Sequence, residues 1–257
     1  FNVEPQDGAP MGDTLPANYN GVAKQNEDGS WTAPITLLNN ITYTAPGEYV
    51  YLITEVDDGQ PGITYDDSQY RVTVQVAQDG TTTTKVEKSK GNDTWVEIPD
   101  GSIAFNNSYA TEGEAVLDGS ANLAGTKTLT GRDWINTDSY KDSFTFILAA
   151  GDDATKAAVE AGEVKLPEPM VAVQGGFSEG TAVPFNFGDI SFTEAGDYTF
   201  TISEQQPDEE GAVSAIPGIT YDDHVRTIKV HVADNGRGKL TAEVVADGTE
   251  GDTNWTN

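Results

Sequence analysis

The sequence predicts an all-β protein: two tandem Ig-like β-sandwich domains, the first lacking its N-terminal strand. Three observations predict it. Most segments alternate apolar and polar residues with period two and are rich in Thr, Val and Tyr. Gly62-Ile-Thr-Tyr-Asp-Asp67 recurs as Gly218-Ile-Thr-Tyr-Asp-Asp223, each after a proline, which marks an internal repeat. Turn clusters of Gly, Pro, Asn and Asp recur between short runs, as in a sandwich. The repeat divides the chain into domains 1–112 and 113–257, joined near Ala110-Thr-Glu-Gly113.

Taken in order, Phe1 to Ala9 aligns with Phe146 to Ala154. The strand Gly47 to Glu55 matches Gly196 to Glu204. Alternate side chains of a strand face opposite ways. Tyr198, Phe200, Ile202 and Glu204 therefore share the core face, as Tyr49, Tyr51, Ile53 and Glu55 do. After the Tyr-Asp-Asp repeat, Val72, Val74 and Val76 match Ile228, Val230 and Val232. Asp79-Gly80 and Asn235-Gly236 follow as hairpin signals. Phe105-x-Asn107 closes the first copy and Trp255-x-Asn257 the second. Glu55 to Asn107 spans 52 residues and Glu204 to Asn257 spans 53. Before Phe146 the second copy has a further strand, roughly Ala115 to Thr130, and a short helix is expected at Ala154 to Ala161.

Composition narrows the function. Lys and Arg total 14 against 42 Asp and Glu, a net charge of -28. That argues against nucleic acid and anionic membranes as partners and suits a protein working outside the cell. Cysteine is absent, so covalent strength cannot come from disulfides. The Asp-rich turns Asp57-Asp58, Gly151-Asp-Asp153 and Asp208-Glu-Glu210 lack the ligand spacing of an EF-hand and read as solvated loops. His224 and His231 have no partner at metal spacing, and His231 alternates onto the outer face. No metal or cofactor is expected. Phosphate loops and nucleophile elbows are missing, so a turnover enzyme is not expected either.

In the second copy three polar residues, a Lys, a Glu and an Asn, fall in core register, and the Glu and Asn have counterparts in the first. Leu123, Gly125, Lys127 and Leu129 share a face, which turns Lys127 inward with Glu204. Ile103, Phe105, Asn107 and Tyr109 share another, as Trp255 and Asn257 do. One reading is a buried Lys–Glu ion pair with Asn as an added hydrogen-bonding partner, an arrangement of little net stability. Another is an edge strand whose polar residue reaches solvent. The chemical reading is that desolvation leaves the lysine an uncharged nucleophile and the glutamate protonated. The glutamate then polarises the Asn carbonyl, and an isopeptide bond forms with loss of ammonia.

These residues resemble those of the streptococcal pilin isopeptide linker domain of Gram-positive pilins and adhesins. The matching positions are Lys127 in Thr126-Lys-Thr-Leu-Thr-Gly131, Glu204 after Gly196-x-Tyr-x-Phe, and Asn257. In the first copy they are Glu55 and Asn107, with no lysine strand. The resemblance implies autocatalytic Lys–Asn bonds assisted by glutamate, in a wall-anchored pilus shaft or adhesin stalk. Neighbouring repeats or pilin subunits are then the partners. The rival is an adhesin module that holds a host ligand on inserted loops, with Asn18 to Thr32 and Asp152 to Glu179 as candidates. Lys127 lies 19 residues before Phe146. The first copy's lysine is accordingly expected about 18 residues ahead of Phe1, by alignment of the repeats, or on a strand from a neighbouring molecule. Lys85 alternates away from the core and Lys24 lies in a polar loop, so neither is expected to replace it.

Overall fold

The longest period-two runs become the longest strands, since each can bury one face and pair its backbone groups laterally. A computed structural model describes residues 1–12, 23–34, 38, 40–207 and 215–257. Most of the Asn18 to Thr32 loop is described only from residue 23 onward, and Asp208-Glu-Glu210 lies outside the described residues. The chain forms two units, Phe1–Tyr109 and Ala110–Asn257.

In the first unit the strands are β1 (Asn2–Pro5), β2 (Lys24–Gln25), β3 (Trp31–Thr32), β4 (Gly47–Thr54) and β5 (Ile63–Thr64). They continue with β6 (Gln69–Val76), β7 (Thr82–Ser89), β8 (Trp95–Glu97) and β9 (Ser108–Tyr109). One antiparallel sheet has the order β1-β4-β6-β7-β8, and β2-β3 and β5-β9 are two-stranded ribbons. Tyr51, Ile53, Tyr70, Val72, Val74, Val76 and Val86 fill its core.

The second unit begins with β10 (Ala115–Leu117), α1 (Gly119–Asn122), β11 (Ala124–Thr128), β12 (Ser143–Ala150) and α2 (Asp153–Ala161). There follow β13 (Val164–Lys165), β14 (Met170–Gln174), β15 (Val183–Asn186), β16 (Ile190–Phe192) and β17 (Gly196–Glu204). The last strands are β18 (Val225–Asp234), β19 (Leu240–Glu250) and β20 (Asn254–Thr256). A five-stranded sheet, β14-β12-β17-β18-β19, is accompanied by two three-stranded sheets, β10-β16-β13 and β15-β11-β20. In the last of these β11 is central, antiparallel to β15 and parallel to β20. The strand that carries Lys127 and the last strand of the unit are thereby neighbours.

The aligned repeats superpose in register. Asn2 pairs with Thr54 as Ile147 pairs with Ser203, and Gly47 pairs with Val76 as Gly196 pairs with Val232. The aromatic contacts agree as well. Phe1 meets Phe105 at 5.1 Å, and Phe146 meets Trp255 at 5.3 Å between ring centroids.

Two expectations are corrected. The single strand expected over Ala115 to Thr130 is broken by α1, because Asp118 caps that turn by accepting from the Ser120 and Ala121 amides. Gly119 passes the carbonyl of Gly188 so closely that a Cβ would lie 1.7 Å from its oxygen, so the chain crosses there and restarts as β11. The insertion Asp152 to Glu179 is not an open loop. It contains α2, β13 and β14, and buries Thr155, Ala158, Val164 and Val173 against the sandwich.

Candidate functional site

Lys127 enters the core because β11 presents Leu123, Gly125, Lys127 and Leu129 on its inner face. Leu123, Lys127 and Leu129 are all 0% exposed. The backbone at Gly125 is crossed by Trp255, whose Cζ3 would stand 2.6 Å from any added Cβ. That close approach lets β20 lie against β11 with Trp255 opposite Lys127. Glu204 ends the inner face of β17 and is 2% exposed. Lys127 Nζ donates to Glu204 Oε2 at 2.9 Å and lies 4.7 Å above the Phe144 ring. Asn257, half-buried just after β20, donates from Nδ2 to Glu204 Oε1 at 3.0 Å. One carboxyl group thus holds the amine on one oxygen and the amide on the other.

Burial dominates the titration of the pair. It lowers the Lys127 amine and raises the Glu204 carboxyl, more than their mutual attraction and hydrogen bond oppose these shifts. Both displacements favour the uncharged pair, the form in which an amine can attack. A buried ion pair would gain too little from its own Coulomb attraction to offset losing water on both sides.

The amide oxygen does not face the glutamate, contrary to the sequence expectation. Asn257 Oδ1 accepts from the backbone N–H of Asp222 at 2.7 Å. A backbone N–H can only donate, so it selects the oxygen end of the side-chain amide and turns Nδ2 towards Glu204. The Asp222 carboxylate reaches back to the same strand. Its Oδ2 accepts from Thr256 N at 2.8 Å, and its Oδ1 takes His224 N at 3.2 Å. Burial would raise the Asp222 carboxyl, but hydrogen bonds from the Thr256 amide and His224 outweigh it and hold the group below the usual value.

The first unit repeats this geometry without a lysine. Asn107 Nδ2 donates to Glu55 Oε1 at 2.9 Å, and Asp66 N donates to Asn107 Oδ1 at 2.9 Å. Asp66 Oδ2 accepts from Asn106 N at 2.7 Å. The expected core position of Asn107 is corrected: it is exposed, and Glu55 is half-buried. Among the described residues, no strand in this unit covers them as β11 covers Asn257. The buried Oε2 of Glu55 has no hydrogen-bond partner among the described residues. Lys85 is committed elsewhere, to Glu87 at 2.8 Å, and Lys24 is exposed on β2.

The sequence reading missed the two aspartates as members of the site. Their signal was present in the Tyr-Asp-Asp repeat, which served only to align the copies.

The Spy0128-like isopeptide containing domain family matches residues 1–110 and again residues 123–257. A Streptococcus pyogenes pilin is 30% identical over 128 residues, covering 47% of this chain and 34% of the pilin. The chain therefore spans about a third of that relative's length. Among solved structures, the major pilin T-13 of Streptococcus pyogenes aligns over 99% of this chain and 84% of its own, at 17% identity and a TM-score of 0.33. Another Streptococcus pyogenes major pilin aligns over 99% and 86%, at 18% identity and a TM-score of 0.29. Likenesses of that size carry no argument, whereas the family match extends through both units. The chain belongs to the Spy0128-like isopeptide containing domain family.

Proposed function

We propose that the chain is a shaft or stalk segment of a pilus on a Gram-positive cell surface, strengthened by an isopeptide bond that Lys127 and Asn257 form without an external enzyme. The observation that carries this reading is Glu204 holding both reacting groups, one on each oxygen. Glu204 takes a proton from the attacking amine at Oε2 and returns one to the departing Nδ2 from Oε1. The Lys127 Nζ–Asn257 Cγ bond forms, the Cγ–Nδ2 bond breaks, and ammonia leaves. Holding the groups in a folded core replaces the entropy of a bimolecular encounter. The reaction consumes its own residues, so the site turns over once and the chain is structural.

The link would close most of the second unit into one covalent loop between the adjacent strands β11 and β20. Tension applied through the chain then bypasses the sandwich. Neighbouring subunits of the same kind are the natural partners of such a segment. In the first unit the unpartnered Glu55 Oε2 suits a lysine on a strand running as β11 does. That strand could be donated by a neighbouring subunit.

Intact mass tests the reading. A deficit of one ammonia, with a Lys127–Asn257 cross-linked peptide after digestion, is the expected result. A full mass with both peptides free would end it.

A further inference from the structure

The Tyr-Asp-Asp repeat lies far from the lysine strand in sequence, yet in both units its first aspartate meets the asparagine that closes the repeat. The contacts form the same two-way clamp. The aspartate's N–H donates to the asparagine's Oδ1, at 2.9 Å from Asp66 and 2.7 Å from Asp222. The aspartate's Oδ2 accepts from the backbone N–H just before the asparagine, at 2.7 Å in the first unit and 2.8 Å in the second. Its Oδ1 closes a local turn onto Ser68 N or His224 N. Four of these hydrogen bonds bridge segments 34 to 41 residues apart, so local turn formation does not account for them.

We propose that the Asp222 backbone amide is the oxyanion donor of the isopeptide reaction, and that the Asp222 carboxylate positions Asn257 on it. Asp66 would serve Asn107 in the same way. The inference rests on the isopeptide reading and adds a group to it. When Lys127 Nζ attacks Asn257 Cγ, the carbonyl π electrons move onto Oδ1. That oxygen already lies against the Asp222 N–H, so the donor needs no rearrangement as charge develops. The electrons return to re-form the carbonyl as the Cγ–Nδ2 bond breaks and ammonia departs with the proton from Glu204. Labour is thereby divided. Glu204 handles protons on the two nitrogens, and Asp222 handles charge on the oxygen. The carboxylate acts one step removed: by holding Thr256 N it fixes the backbone from which the Asn257 side chain extends.

The donor can be removed without touching any side chain. An α-hydroxy acid bearing the aspartate side chain at position 222 replaces the N–H with an ester oxygen and leaves the carboxylate in place. Ammonia loss is followed by intact mass after refolding, and the rate is expressed per folded molecule. Folding is tracked by Trp255 burial in the same chain and in a Lys127→Met background. The ester is expected to slow the reaction about 100-fold, the usual effect of losing one oxyanion donor. Asp222→Ala keeps the N–H and releases the strand. It is expected to slow the reaction about tenfold, within the range for misplaced reactants, and Asp222→Asn should recover most of that loss. A purely structural role would lower the folded fraction and leave the rate per folded molecule unchanged, which would overturn the proposal. If the unmodified chain never loses ammonia, the isopeptide reading itself fails, and this outcome is distinct from an ester that reacts at the normal rate.

Discussion

In the second unit Glu204 is 2% exposed and Trp255 0%, whereas in the first Glu55 and Phe105 are only half-buried and Asn107 is exposed. The hydrogen bonds among glutamate, asparagine and aspartate are nonetheless the same in both, within about 0.2 Å by comparison of the paired distances. The difference that bears on the site is β11. Among the described residues the first unit has no counterpart of that strand, and residues 104–106, which align with β20, form no strand. The comparison separates two requirements of the proposed chemistry. Alignment of the asparagine comes from the glutamate at the end of β4 or β17 and from the Tyr-Asp-Asp turn, which each unit supplies for itself. Desolvation of the glutamate comes from the lysine strand, which among the described residues only the second unit contains. Low dielectric is what moves an amine and a carboxyl towards their neutral forms, so alignment alone cannot prepare the reaction.

The largest effect should follow from removing the shared carboxyl. Glu204→Ala is expected to leave the second unit folded but reduce its cross-linking by at least about 100-fold, the lower range for a general acid–base group. Glu55→Ala should leave the deficit of one ammonia, relative to its own sequence mass, unchanged. Intact mass of both variants checks this, and normal ammonia loss in Glu204→Ala would remove the glutamate from the mechanism.

Next in size is the stability of the second unit. Lys127→Met keeps much of the side-chain volume but cannot form the link. Chain-entropy reasoning for a loop of this length gives a loss of about 5 kcal/mol. Denaturant unfolding should show the second unit's transition falling while the first unit's stays in place. In force spectroscopy the variant should extend where the unmodified unit does not. Equal extension lengths would refute the load-bypassing role.

A smaller effect would convert the first unit into a likeness of the second. A synthetic peptide with the sequence of residues 122–130 is expected to add across Asn107, raising the mass by the peptide less one ammonia. A tethered strand has an effective concentration of about millimolar. Peptide at ~0.1 mM should therefore react at least about tenfold more slowly than the same strand in cis. The Lys→Ala peptide should not react. Adduct on any residue other than Asn107 would show that the two copies are wrongly matched.

The smallest effect is one the units should share. Hydrogen bonds hold the carboxyls of Asp66 and Asp222 below their usual value of 3.8, against an opposing contribution from burial. A depressed carboxyl stabilises the fold fully above its unfolded value and loses that contribution as pH falls through the folded one. In the Lys127→Met chain, acid below about pH 4 should therefore loosen the closing segment of each unit. Asp66→Asn and Asp222→Asn should each flatten the acid limb of their own unit. Hydrogen exchange at Asn106 and Thr256 reads the two clamps separately, and an unchanged acid limb in either variant would remove the aspartate from it.

Much of this was legible in the chain itself. Period-two alternation assigns Lys127 and Glu204 to the core face, because a strand offers each residue only two faces and the apolar one must be buried. The repeat fixes which residues correspond, and the register of β1 on β4 and of β12 on β17 agrees with it. Composition excludes disulfides outright, since no cysteine is present. Tertiary structure decided the rest. Periodicity could not show that α1 interrupts the expected strand, since Gly119 is held by its approach to Gly188, a residue far along the chain. Nor could it place Asn107 at the surface, because exposure depends on what covers a strand and alternation reports only its direction. The facing of the Asn257 amide was likewise settled in three dimensions. Its two ends are nearly equal in size and differ only in whether they accept or donate, and the backbone N–H of Asp222, brought alongside by folding, admits the oxygen alone.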